Sequence, residues 1–233
     1  MNGSRTTSPP TMPPPNRVSA PRARRRDKLD PDPAVRRDIL AAASQTLREN
    51  GVRGLSIAAV LERAELSTRA FYRHFDSKEE LVAAVFLEAA RAERRRLQRR
   101  MAAAATEVEA VAAWIDGRLD LAFDDNLKSD LRRLSLEAQS QTFASPGLVQ
   151  PAYAEMLKPL SDALQHGLQR GVFHHIDPVT DAEFIQGVVW ASTNRQWRTG
   201  DCDRAEVRED ALRFCLRALG VTPEAIYQIC SSD

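Results

Sequence analysis

The segment Ser67-Thr-Arg-Ala-Phe-Tyr-Arg-His-Phe75, running straight into Asp76-Ser-Lys-Glu-Glu-Leu81, constrains the fold more than any other stretch of the chain. Ser67 has the character of a helix cap. Its hydroxyl can accept a backbone N–H of the first turn, and Leu66 with Phe71 stand at the spacing of a hydrophobic staple. Ser56 repeats the arrangement one element earlier, with Leu55 and Val60 as the staple pair. Ser77 opens a further helix, and Glu80, three residues on, completes a capping box. Caps this close together keep the intervening helices short; the one after Ser56 ends near Arg63 or Ala64. In the helix after Ser67, core spacing turns Ala70, Phe71 and Phe75 inward and leaves Thr68, Arg69, Tyr72 and Arg73 outside. That is the layout of a helix-turn-helix.

Helical signals fill the remainder. Asp32 caps a first helix with Pro33 at its first position, where the missing N–H costs nothing. Val35, Ile39, Ala43 and Leu47 give it one apolar stripe, and Gly51 supplies a left-handed stop. The helix after Ser77 is long, carries Leu81, Val82, Val85, Phe86 and Leu97, and ends in a basic run (Arg94, Arg95, Arg96, Arg99, Arg100) that suits a C-terminal dipole. Beyond Met101 no strand-like alternation of any length occurs, and helices are expected near 107–124, 128–142, 149–170, 179–199 and 203–219. The fold class is therefore all-α: a disordered basic tail over 1–32, a helix-turn-helix domain over 33–81, and a helical bundle over 82–233. The tail is rich in Pro, Ser, Thr and Arg and too poor in large apolar residues to offset the entropy of ordering.

Charge divides the chain the same way. Residues 1–32 carry seven basic against three acidic residues, residues 33–76 seven against five, and the rest nineteen against twenty-four. A basic head suits a polyanion that an acidic body would repel. Cys202, Cys215 and Cys230 are too few and too scattered for a disulfide framework, which suits a reducing cytoplasm. The longest apolar run, Leu81–Leu87, is far short of the ~20 residues that span a bilayer, so no membrane association is expected. Arg24-Arg25-Arg26 has no apolar stretch after it and is not a twin-arginine signal.

The exposed residues of the helix-turn-helix have the chemistry of DNA contact. Arg69 can fork onto a guanine edge, and Thr68 can touch a thymine methyl or a phosphate. Tyr72, Arg73, His74 and Lys78 suit phosphates, and Ser56 and Ser67 present hydroxyls at helix N-termini. In the tail, Arg22, Arg24, Arg25, Arg26 and Lys28 can follow a minor groove. Residues 33–81 resemble the N-terminal domain of the tetracycline-repressor (TetR) family. The resemblance rests on Ile39…Leu47…Gly51, on Leu55-Ser-Ile-Ala-Ala-Val-Leu61, on Ser67…Phe71-Tyr72-Arg73-His74-Phe75 and on Ser77-Lys78-Glu79-Glu80-Leu81. Two departures stand out: Glu65, where the family's turn commonly has Gly, and Arg69, where many members have a small residue. By resemblance Tyr72 and Lys78 hold phosphates while Thr68 and Arg69 meet bases.

The resemblance further implies a C-terminal domain that binds a small-molecule effector and forms a homodimer through helices near 179–199 and 204–219, so that the protein is a ligand-responsive repressor on a palindromic operator. An activator or a co-repressor-dependent regulator has the same sequence pattern, and an all-helical enzyme or carrier is the alternative from another class. Trp114, Phe123, Phe143, Tyr153, Met156, Trp190, Asn194 and Trp197 are candidate pocket residues, because pockets are lined by apolar and aromatic groups with a few polar ones. His174-His175, with only Asp177 nearby, makes a poor metal set. No phosphate loop, nucleophile elbow or paired-carboxylate pattern is present, so neither cofactor nor enzymatic activity is expected.

Overall fold

Each of the first five helices opens on a side-chain cap. In the computed structural model, which describes residues 32–124 and 130–231 (without the side chains of 130, 131 and 143), these are α1 (Pro33–Gly54), α2 (Ile57–Arg63), α3 (Thr68–Phe71), α4 (Lys78–Met101) and α5 (Glu107–Phe123). The caps are Asp32, Ser56, Ser67, Ser77 and Thr106, each accepting a backbone N–H of the first turn. Glu80 closes its box one residue earlier than expected: its carboxylate takes the amide of Asp76 at 2.6 Å, while Ser77 accepts from Glu80 at 3.0 Å. Glu109 does the same with Ala105 at 2.7 Å. The tail expected over 1–32 lies, apart from Asp32, outside the described residues.

The rest of the chain is helical too, with α6 (Asp130–Ala144), α7 (Pro146–Gln169), α8 (Pro178–Thr199), α9 (Arg204–Ala218) and α10 (Pro223–Ser231). Among the described residues there is no strand. The fold is all-α, as the periodicity predicts. α10 is an addition to the expected set, and α7 starts three residues earlier than expected because Pro146 supplies its first turn.

Gly51 does not stop α1 in the left-handed helical region. Its φ of 67° and ψ of 178° lie in an extended region open almost only to glycine, and the chain kinks there before one more turn to Gly54. The kink is held from outside. Glu137 of α6 accepts the Val52 N–H at 2.9 Å, and its carboxylate oxygen lies 3.1 Å from where a Cβ at position 51 would sit.

α5 is the axis of the body. It packs against α4, α7, α8 and α9 and buries Val111, Trp114, Ile115, Leu119 and Leu121 together with Asp116 and Arg118. Gly117 lets α4 approach, since a Cβ there would meet Leu97 at 2.7 Å. The most extensive helix pair is α4 with α7. The basic run of α4 serves this packing as much as the helix dipole: Arg94 pairs with Glu155 of α7 at 2.8 Å and Arg100 with Asp120 of α5 at 2.8 Å. α4 runs without a break from the helix-turn-helix into the body, across the expected boundary at 81/82.

Candidate functional site

The helix-turn-helix is built on a tight reversal after α2. Leu66 N–H donates to Leu61 O at 3.0 Å and Glu65 N–H to Glu62 O at 3.2 Å, the double bond pattern of a Schellman ending. This places Glu65 at φ 54°, a left-handed position that glycine fills without strain. The same ending recurs after α7 and after α9, and there Gly171 and Gly220 take the left-handed position.

α3 turns its apolar side into the head. Phe71 and Phe75 are buried, their ring centroids 5.8 Å apart, and the Arg36 guanidinium lies 5.1 Å from the Phe75 ring. A buried ring contributes about 1.5–3 kcal/mol, so these two hold α3 and the turn after it against the core of the head. Opposite them, Ser67, Thr68, Arg69, Tyr72 and Arg73 are all exposed. Tyr72 meets Phe71 edge-on with ring centroids 5.2 Å apart, which orients its hydroxyl end outward. Ser56 is exposed as well and Lys78 half-buried at the start of α4. His74 is half-buried, its Nδ1 enclosed and without a partner. The hydroxyls of Ser56 and Ser67 are engaged as caps, to Ala59 at 3.2 Å and Ala70 at 3.3 Å. Arg63 turns away from this face to Glu49 at 2.7 Å; the hydrogen bond from Arg63 holds the Glu49 carboxyl below the usual carboxylate range.

Behind the head, a partly open cavity of about 70 Å³ lies between α4, α5, α6, α7 and α8. α4 contributes Phe86, Ala89, Ala90 and Glu93, and α6 contributes Leu134, Ser135 and Ala138. Arg118 and Leu121 come from α5, Val149, Ala152, Tyr153 and Met156 from α7, and Gln186 and Trp190 from α8. Of the candidate pocket residues, Tyr153, Met156 and Trp190 therefore meet in one wall. Trp114 is fully buried in the core, away from the lining, with its indole N–H unpartnered. Phe123 packs against the core. Asn194 is half-buried outside the lining, and the Phe143 side chain lies outside the described residues. Trp197 stands edge-on to Trp190 at 5.3 Å, with Arg132 5.4 Å from its ring.

Glu93, Arg118 and Gln186 were not among the residues singled out from the sequence. The Glu93 carboxylate takes Arg96 Nε and Nη2 at 2.8 and 2.9 Å, and Arg118 Nη1 at 2.9 Å. Burial pushes its carboxyl up, but hydrogen bonds and charge from Arg96 and Arg118 outweigh that and hold it below 4.5. Arg118 Nε and Gln186 Oε1 are buried without a partner. Arg118 in a largely apolar helix was the one signal available.

Comparison with known proteins agrees with this architecture. The family of bacterial regulatory proteins called tetR matches over residues 39–85, which is α1 from Ile39 through α2 and α3 into α4. Residues 39–85 carry the N-terminal domain of the tetR family. No curated protein matches it in sequence. Among solved structures, RolR with its ligand resorcinol superposes with a TM-score of 0.63 at 20% identity, covering 86% of this chain and 94% of that one. FadR from Bacillus subtilis in complex with stearoyl-CoA gives 0.60 at 20% identity, covering 77% and 96%. Reduced NemR from E. coli gives 0.60 at 19%, covering 80% and 98%. At these identities the superpositions speak for the fold, which here is that of a tetR-type DNA-binding regulator of transcription. Among the described residues no helix is long and apolar enough to cross a membrane, and no cluster of His, Cys, Asp or Glu is set to hold a metal.

Proposed function

We propose that this tetR-family chain is a ligand-responsive repressor that binds a palindromic operator as a homodimer, with the head at 33–81 reading DNA and the body at 82–233 sensing an effector and dimerising. The observation that carries the reading is the course of α4. Its first residue, Lys78, adjoins the reading helix, and its middle turns, Phe86 to Glu93, form a wall of the cavity. A ligand that displaces this wall moves the head.

Glu137 gives the same motion a second route, from α6 on the cavity wall to the kink of α1. Thr68 and Arg69 are the base contacts in this scheme, with Ser56, Ser67, Tyr72, Arg73, His74 and Lys78 on phosphates. Two reading helices about 34–36 Å apart fit successive major grooves. Release follows only if the ligand prefers the spacing that does not fit, because equal affinity for both states shifts nothing.

Dimerisation through α8 and α9 is supported by what these helices leave outside. Val179, Phe184 and Phe214 are 64, 66 and 64% exposed. Gly187 and Ala191, on the same side of α8 as Phe184, are exposed as well, and a Cβ at 187 would meet nothing within 4 Å. The effector is a small molecule, like the ligand resorcinol in the RolR complex. A cavity of about 70 Å³ is far below the ~300 Å³ at which drug-sized pockets begin, and a ligand the size of stearoyl-CoA would require the bundle to open.

The test is selection of duplexes from a random-sequence pool by the purified protein, repeated with Arg69→Ala. The wild type should enrich an inverted repeat. The variant should lose about 1–3 kcal/mol at the position Arg69 reads. Enrichment of the same site with equal affinity by the variant refutes the assignment, and no enrichment by the wild type refutes the regulator reading.

A further inference from the structure

The cavity wall is apolar except at a few points, and two of those carry unused hydrogen-bonding capacity. Arg118 is 6% and Gln186 9% exposed. Arg118 gives Nη1 to Glu93 at 2.9 Å and keeps Nε–H unpartnered; Gln186 keeps Oε1 unpartnered. A buried polar atom without a partner is disfavoured, so a ligand that supplies partners to both gains on both. Among the buried polar atoms of the lining residues, one donor and one acceptor are thus without a partner. Tyr153 adds no third demand, because its hydroxyl already donates to Gln139 at 3.1 Å.

A carboxylate satisfies Arg118 and leaves Gln186 Oε1 facing another acceptor, with the Glu93 carboxylate in the same wall. A plain hydrocarbon satisfies neither. A hydroxyl is donor and acceptor in one group. The volume limits what carries it: engineered cavities of about 150 Å³ accept benzene, and this one is about 70 Å³. A single ring is the size that this volume favours, with the unbranched Met156 side chain giving way.

Resting on the reading of this cavity as the effector site, we infer that its ligand is a small neutral phenol. Its hydroxyl donates to Gln186 Oε1 and accepts from Arg118 Nε–H, and its ring lies among Phe86, Leu134, Met156 and Trp190.

The experiment is isothermal titration of the full chain, without DNA, with phenol, toluene and benzoate. Phenol should bind about tenfold or more tighter than toluene, and tighter than benzoate, because a site built for a hydroxyl rejects the analogue that lacks it. Gln186→Leu should bring the phenol-to-toluene ratio near one, and Arg118→Met should lower it. Gln186→Leu leaves the Glu93 ion pairs intact and so keeps the test decisive if Arg118→Met fails to fold. Equal binding of toluene, tighter binding of benzoate, an unchanged ratio in Gln186→Leu, or no binding of any of the three overturns the inference. Because no DNA is present, a failure of operator binding bears on the regulator reading alone. Conversely, phenol-selective binding that leaves a bound operator in place upholds the site and refutes the release mechanism.

Discussion

Replacing Glu93 by Ala tests whether the buried charge network holds the body together. Its side chain is 6% exposed and that of Arg118 7%, so water cannot replace a lost partner. The single carboxylate takes three hydrogen bonds from two guanidinium groups. Removing one partner of a buried pair costs about 3–5 kcal/mol, because the other charge stays buried. Arg96 retains Asp120 at 3.7 Å and is 22% exposed, which softens its share; among the described residues Arg118 pairs with no second acid, so the loss should stay within that range. For a chain of this size each kcal/mol moves Tm by about 2–4 °C, which gives a drop of about 6–20 °C. The double variant Glu93→Met/Arg118→Met removes both charges and should recover most of the loss. Thermal and urea denaturation at one fixed protein concentration measure both. The pH dependence has a definite sign. The folded-state pKa of Glu93 is lowered from 4.5, so its contribution is present above that value and is lost as pH falls through the lower folded-state value. A single variant that loses under about 1 kcal/mol, or a double variant no more stable than the single, refutes this account.

Three further outcomes follow from the backbone and the surface. Gly51→Ala should lose about 1–3 kcal/mol in urea denaturation, since φ 67° with ψ 178° excludes a side chain and Glu137 stands 3.1 Å from the new Cβ; a loss under about 0.5 kcal/mol would show that the kink relaxes freely. Glu65→Gly should raise stability by up to about 1 kcal/mol, since φ 54° strains glutamate and the parallel turns at Gly171 and Gly220 already use glycine; a lower Tm would contradict it. Phe184→Asp should raise the dimer dissociation constant about tenfold or more in sedimentation equilibrium, and an unchanged constant would place the interface elsewhere.

Local chemistry was legible in the sequence wherever one residue decides it. Asp32 with Pro33, and Ser56, Ser67 and Ser77, open helices where their capping character requires. Glu65 stood out only through the family resemblance, whose turn commonly has glycine there; its φ of 54° gives the physical reason. What escaped depends on neighbours distant in the chain. Glu93 and Arg96 read as an ordinary surface pair three residues apart; only α5, crossing with Gly117 and Arg118, turns that face into an interior. Periodicity identifies Trp114 as apolar and helical, but cannot tell a core face from a cavity face. α10 carries its own signals in Thr222-Pro223-Glu224, but nine residues are marginal as an isolated helix, and this one is held by burying Ile226 beside α9.

The contact between Glu137 and Val52 is made to an amide, not to a side chain. The latch between the two halves of the molecule therefore addresses the main chain and ignores the identity of the residue it holds. Any residue but proline can donate this hydrogen bond from position 52, while the Val52 side chain packs separately against the core. A different head keeps this link only if its first helix kinks at the same place and turns an amide toward Glu137.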